Sequence, residues 1–368
     1  MDAPTLTASN TADWNALVSA SDDAWFWHTT DWLSFVKILG AEYLVADVSF
    51  MLVLDGAIIA ACPLMVEERG GYRRFSYFGE FIPSPAFRAG LSTTVRAAAL
   101  NRYVAEVEAL AEKHDVGYAR VIVPALSPAA LRLTTPSWSP LLRHGFLEAS
   151  AATQIIALED SEDVLWRAIR KGHRSDIKRA AACEVHVWDR DTISDEKFAE
   201  YRALHARDAG RVTRVPETFA MMHDWVRRGH AVLVEAAQGG RSVAFAVQIL
   251  FRQAAYYASS CKEPDLAGLP AMHLLQWRTM VWLKLHGYTH YDIGAQYFGP
   301  RWDLVPSAKD LSIASFKRGF GGETRRVEIV ERFFSAAVLE RVGAERLKLL
   351  VAGTRERQES IAGVRNDD

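Results

Sequence analysis

Two short stretches concentrate residues able to do chemistry. In the first, Ser307 is followed three residues later by Asp310 in the form of a capping box, which predicts a helix from Ala308 to Phe320 stopped by Gly321-Gly322. At about 100° per residue, Ile313, Phe316 and Phe320 share one apolar stripe. Lys317 falls beside that stripe, while Arg318 points the other way. A lysine so placed either snorkels its ammonium to water along the stripe's edge or holds a fixed positive charge in a water-poor site, where it can stabilise developing negative charge. The second stretch reads as a strand from Tyr288 to Ile293. Alternation puts Tyr288, His290 and Asp292 on one face, with Asp292 at the carboxyl end, the edge at which open α/β sheets gather ligands. There Asp292 first, and His290 second, can accept a proton or relay it through water. Asp292 just before Gly294 reads equally well as a turn or helix-capping carboxylate.

Two further groups carry recognition chemistry. Arg167, Arg170, Lys171, Arg174 and Lys178 recur at three- and four-residue spacing opposite Leu165, Ile169 and Ile177. They form a solvated face, or, with Arg170, Lys171 and Arg174, a holder for a phosphorylated ligand, since guanidinium forks match phosphate oxygens. The aromatic run Trp25, Phe26, Trp27, His28 and Trp32, with Phe78-Gly79-Glu80-Phe81, reads as core or as a substrate cleft in which Trp27, His28 and Glu80 recognise an acceptor. Cys261, Tyr256 and Tyr257 are given no chemistry.

These residues need elements to hold them, and the elements repeat. In the first half, Ser49 to Leu54 reads as a strand, Asp55-Gly56 as a tight turn and Ala57 to Val66 as the returning strand. A third strand, Arg74 to Phe81, a helix, Val95 to His114, and a strand, Tyr118 to Val123, follow. The second half repeats this order with strands Ala231 to Ala236, Arg241 to Phe251 and Ala254 to Cys261, a helix Ala271 to His286, and the strand ending at Asp292-Ile293. Helices precede each copy, Asp31 to Leu39 in the first, Asp163 to Ala182 and Glu196 to Ala209 in the second. Fixed-order self-similarity of this extent points to a duplicated unit.

At 368 residues the chain exceeds what one core usually supports, so two domains are expected. Its composition, 49% hydrophobic and 24% charged, is that of an ordinary globular protein without a membrane span, and the start Met1-Asp2-Ala3-Pro4 does not read as a secretory signal; a cytoplasmic location is expected. Three scattered cysteines argue against a disulfide framework and a structural zinc site, so no metal is expected. A formal charge of −2 excludes a global basic field for DNA.

The unit order resembles the GCN5-related N-acetyltransferase (GNAT) fold. Its doubling, with Tyr291-Asp292-Ile293-Gly294 and Ser312-Ile313-Ala314-Ser315-Phe316-Lys317-Arg318-Gly319-Phe320-Gly321-Gly322, resembles the FemABX-type acyltransferases most closely from about Leu165 to Phe334. The resemblance implies an α/β fold of two tandem GNAT-like units, each a mixed, mostly antiparallel sheet flanked by helices: residues 1–150 on the substrate side, 151–335 on the acyl-donor and catalytic side, and a helical tail, 336–368. It implies transfer of an acyl group to an amine, with acetyl-CoA as donor and a polar acceptor such as a nucleotide-linked amino sugar for cell-surface glycan synthesis. Phe316 and Lys317 would then meet the acyl group, with Lys317 stabilising the oxyanion, while Ser259, Ser260, Gly268 and Ala271 would help bind the donor, its pyrophosphate on the loop Asp265 to Ala271. Of the usual loop pattern only Gly268 is present, and Pro270 removes one amide donor. Two alternatives stand beside this: a transferase using aminoacyl-tRNA on a peptidoglycan precursor, against which near-neutral charge and the lack of a long heptad-bearing arm weigh, and a binding or scaffold protein that keeps the fold without catalysis.

Overall fold

The structure is a computed structural model that describes residues 1–366 apart from 134, 136, 137 and 267, with side chains to residue 354. Ala267 of the expected donor loop and the last two residues of the tail thus lie outside the described residues. The chain begins with helices α1 (Thr11–Ala20) and α2 (Thr30–Leu39). Seven short strands follow: β1 (Leu44–Asp47), β2 (Phe50–Leu54), β3 (Ala57–Cys62), β4 (Met65–Arg69), β5 (Tyr72–Phe75), β6 (Ile82–Pro83) and β7 (Ala86–Phe87). Helix α3 (Thr93–His114), β8 (Val116–Ile122), the single turn α4 (Pro128–Leu131) and β9 (Leu147–Glu148) complete the first half. Then come β10 (Ala151–Ala157), α5 (Glu162–Ala168), α6 (Lys171–Arg179), β11 (Glu184–Trp188), α7 (Asp195–Ala209) and α8 (Pro216–Arg227). The rest is β12 (Ala231–Gln238), β13 (Arg241–Phe251), β14 (Ala254–Lys262), α9 (Ala271–Leu285), β15 (His290–Gln296), α10 (Ala308–Arg318), β16 (Glu323–Val327), β17 (Ile329–Phe333) and α11 (Ala336–Asn366).

The repeat is real but unequal. In the second sheet the order is β11-β12-β13-β14-β15-β10-β16, antiparallel except for β14 beside β15. The first sheet runs β1-β4-β5-β8-β17-β9, with β5 parallel to β8 as β14 is to β15. Where one continuous strand was expected from Ala57 to Val66, the chain breaks between β3 and β4, because Pro63 has no amide to give a ladder. Leu64 N donates instead to Ser49 Oγ at 3.0 Å, and β2, β3 and β7 peel away as a separate small sheet.

The halves are interlocked rather than tandem beads. Segment 147–157 supplies β9 to the first sheet and β10 to the second; segment 323–333 supplies β16 to the second and β17 to the first. These segments run antiparallel to each other, pairing Glu148 with Val330 and Ala151 with Val327. The expected boundary at 150 therefore falls between two strands, but the last strand of the expected second unit sits beside β8. Aromatic packing joins the halves as well: Phe26 meets Trp225 at 5.1 Å and Trp25 meets Phe251 at 5.6 Å, both edge to face, in a core cluster drawn from both halves. Such pairs contribute about 0.5–1.5 kcal/mol each beyond their buried area. Among the described residues no helix is long and apolar enough to cross a membrane.

Candidate active site

The site begins where the second sheet comes apart. Parallel pairing of β14 with β15 holds from Ala254/His290 to Tyr256/Asp292 and goes no further, although β14 continues to Lys262 and β15 to Gln296. Bulges on both strands turn them away: β14 carries one extra residue against β13 between Tyr257 and Ser259, and β15 one extra against β10 between Asp292 and Gly294. A bulge bends and twists its strand, and here the result is a split.

Helix α10 lies against β15 beside that split. Its start is fixed as the sequence predicts: Ser307 Oγ accepts from Asp310 N at 3.2 Å, and Asp310 Oδ2 accepts from Ser307 N at 2.9 Å. Its end comes two residues earlier than predicted, at Arg318, because Gly319 is needed for something else. A Cβ on Gly319 would lie 2.1 Å from His173 Nε2. That imidazole, buried, donates from Nε2 to Phe316 O at 2.8 Å, while Arg170 N donates to Gly319 O at 2.8 Å. The start of α6 thus caps the carbonyl end of α10 and fixes Phe316 and Lys317.

Lys317 reaches from α10 to the backbone of Gly294, whose φ of +105° suits glycine and whose Cβ, were there one, would stand 2.6 Å from Lys317 Nζ. Among the described residues no hydrogen-bond or ion-pair partner meets this ammonium. Burial pushes its pKa below the usual lysine value, and the nearby charge of Asp292 opposes that shift. Asp292 is 4% exposed; its Oδ1 accepts from Thr153 Oγ1 at 2.6 Å and from Gly294 N at 2.7 Å. Burial raises its pKa from 3.8 to about 6, against the pull of Thr153, Gly294 and Lys317. The Gly294 bond is the turn-type contact its position suggested, and the Thr153 bond brings in a residue from β10 that no local pattern marked.

A cleft of about 740 Å3 opens along β14 beside Lys317, and no residue of β15, Asp292 included, is among those that line it. Ser259, Ser260, Gly268, Phe316 and Lys317, expected on the donor side, all line it, together with Tyr256 and Tyr257. The two serines are held by tyrosines, Tyr201 OH donating to Ser259 Oγ at 2.9 Å and Tyr257 OH to Ser260 Oγ at 2.6 Å. Ala271 opens α9 but its side chain, 3% exposed, belongs to the core. Arg179, Arg214 and Lys262 stand at the cleft wall; Arg179 ends α6 beside the basic stripe but is not part of it, and the other two come from segments that pattern did not isolate.

Other expected site residues are placed elsewhere. His290 starts β15 opposite Ala254, on the closed side of the split, with Nδ1 2.9 Å from Thr289 Oγ1, and it does not line the cleft. His28 is fully buried, its Nε2 donating to Ser84 O at 2.7 Å and its Nδ1 accepting from Trp25 N at 3.2 Å, so it has no free face for an acceptor. Trp27 packs edge-on against Tyr256 at 5.8 Å and so touches the wall of the split from the first half; Glu80 is exposed. The expected helix from Asp163 to Ala182 is two helices, broken at Ile169, whose backbone is extended so that its side chain reaches the core. The basic stripe breaks with it: Arg174 bonds Arg167 O and Ile169 O, Arg170 lies against His173, and Lys171 is exposed.

Comparison with known proteins agrees with this fold. Residues 165–300 match the acetyltransferase (GNAT) domain family. Among solved structures, FemX superposes with a TM-score of 0.65 at 15% identity, covering 93% of this chain and 100% of its own. L-PGS from Bacillus licheniformis gives 0.57 at 14% identity, covering 94% and 98%. A tandem GNAT protein from the clavulanic acid biosynthesis pathway gives 0.50 at 13% identity, covering 90% and 98%. No curated protein matches the sequence.

Proposed function

For a chain that carries a GNAT acetyltransferase domain within a FemABX-like tandem fold, we propose direct acyl transfer to an amine, with acetyl-CoA as donor and a nucleotide-linked amino sugar as acceptor. One observation carries the reading: an unpaired, half-buried lysine stands over the split between β14 and β15, beside a buried carboxylate. With the acyl carbonyl placed in the split, its oxygen faces Lys317. As the acceptor nitrogen attacks the carbonyl carbon, a C–N bond forms and negative charge builds on that oxygen, where a partly desolvated ammonium is most effective. Collapse of the tetrahedral species breaks the C–S bond and releases the thiolate. The proton lost by nitrogen passes to Asp292 through water; its raised pKa leaves it ionised and basic at neutral pH. Arg179, Arg214 and Lys262 supply charge for donor phosphates.

The test is release of free thiol from acetyl-CoA in the presence of a panel of amino sugars and their nucleotides, with calorimetry for CoA. Release that depends on the acceptor is the expected result; absence of both thiol release and CoA binding overturns it.

A second reading, an aminoacyl-tRNA donor, is favoured by the departure of the Asp265–Ala271 loop from the CoA pattern and by Pro270, which occupies the cap of α9 without a side-chain cap bond. The likeness to FemX and to L-PGS supports it at the level of fold. Binding of tRNA that weakens steeply with salt would select this donor; no binding at low salt removes it.

A further inference from the structure

Against the Phe316 ring, a second group of ligating side chains comes together from α6 and α9. His173, Asp176 and His273 each bring one ligand atom, all within 4.8 Å of one another. The two imidazoles meet edge to face with centroids 4.5 Å apart. His273 Nε2 lies 3.5 Å from Asp176 Oδ2, close to the separation of roughly 3.3 Å that two ligands have on a tetrahedral zinc ion. His173 gives its Nε2–H to Phe316 O, and this leaves its Nδ1 as the lone pair; a ring N–H donated to a backbone carbonyl is the usual outer-shell partner of a metal-ligating histidine. His273 keeps Nδ1 buried without a partner.

We infer that His173, Asp176 and His273 form a binding site for a divalent ion of the zinc class, on the partition between the acyl-donor cleft and a neighbouring cleft of about 530 Å3. Asp176, His273 and Phe316 line both clefts, so a water molecule has access to complete a tetrahedron. Two neutral imidazoles and one carboxylate are a set that suits zinc and cobalt better than magnesium or calcium. Two cations compete. Arg170 Nη2 lies 3.3 Å from His173 Nδ1, and Arg179 Nη2 lies 3.0 Å from Asp176 Oδ1. Arg179 occupies only Oδ1 and leaves Oδ2 toward His273, and Arg170 reaches its place on a side chain from the exposed start of α6, so it swings out when the ion enters. An ion here ties α6 to α9 directly behind the residue next to Lys317. It takes no part in the reaction proposed above.

The experiment reads binding, not turnover. Protein stripped with a chelator is titrated with Zn2+ by calorimetry and with Co2+ by visible absorption, for the wild type, Asp176→Asn, His273→Gln and the exposed control His186→Gln. Saturable binding of one ion, with tetrahedral Co2+ absorption, weakened at least about 10-fold by D176N and H273Q but not by H186Q, is expected. Far-UV circular dichroism of the metal-free variants establishes that each is folded. Absence of one-to-one binding by the wild type, or affinity that folded D176N and H273Q leave unchanged, overturns the inference.

Discussion

Lys317 and Asp292 illustrate how one pair of side chains sets both reactivity and stability. Burial disfavours both charges, and each charge partly restores the other. Replacing Lys317 by Ala is expected to lower kcat by on the order of 10²–10³ with little change in the donor KM or in Tm, measured by thiol release and thermal unfolding. Asp292 carries a stability consequence of definite sign. Its folded pKa is raised from 3.8 to about 6, so its contribution is fully present below pH 3.8 and is lost as pH rises through about 6. At 1.36 kcal/mol per pKa unit this amounts to about 3 kcal/mol. Asp292→Asn, whose amide oxygen can still accept from Thr153 and Gly294, is expected to be more stable than the wild type at pH 7.5 by up to about that amount. Its activity should fall and lose the rise through pH 6 that ionisation of Asp292 gives the wild type. A variant less stable than the wild type at pH 7.5 contradicts the assigned shift.

Among elements, α10 matters most, and its position is set by a neighbour distant in sequence. The capping box at Ser307 and Asp310 and the apolar stripe with Lys317 beside it were legible locally, because both depend only on helical spacing. The role of Gly319 was not: it exists to admit His173 from α6, and nothing near Gly319 in the chain announces that. Gly319→Ala is expected to cost about 1–3 kcal/mol through overpacking and to lower kcat more than it changes either KM, because the displaced imidazole releases the carbonyl of Phe316. Denaturant titration and steady-state kinetics measure the two effects; an unchanged kcat in a destabilised protein would limit His173 to a purely structural part. The break at Ile169 belongs to the same scale. A run of charged residues at helical spacing reads as one helix, but burial of Ile169 and the bond from Arg170 N to Gly319 O outweigh the continuation of the helix.

At the scale of the whole molecule, the two copies cannot be separated where the sequence suggests. Strand β17 lies between β8 and β9, with Ile329, Val330 and Glu331 buried. Glu331 is fixed there by a paired bond from Arg346 at 2.7 Å and by Tyr118 OH at 2.7 Å. A fragment of residues 1–150 lacks this strand and leaves the β8 edge open. It is expected to show no cooperative unfolding alone and to regain it on co-expression with residues 151–368, as followed by circular dichroism and size-exclusion chromatography. Independent cooperative folding of the fragment would show that the exchanged strand is dispensable. Arg120 on β8 reaches Asp303, which also takes Arg301 at 2.9 Å, so the loop after β15 is tied to the first half as well.

By itself the sequence determined the duplicated α/β order, strands β12 to β15 of the second sheet to within three residues, though not β10, β11 or β16, and the cap of α10. These follow from hydrophobic period, turn residues and local hydrogen bonding, all short in range along the chain. Tertiary structure alone decided that β17 crosses into the first sheet between β8 and β9, that β14 and β15 part after Tyr256 and Asp292, and that His28 is sealed while His173 and His273 stand beside Phe316. Each of these depends on which surfaces meet when strands far apart in the chain pair and bury their side chains, and no local spacing encodes that.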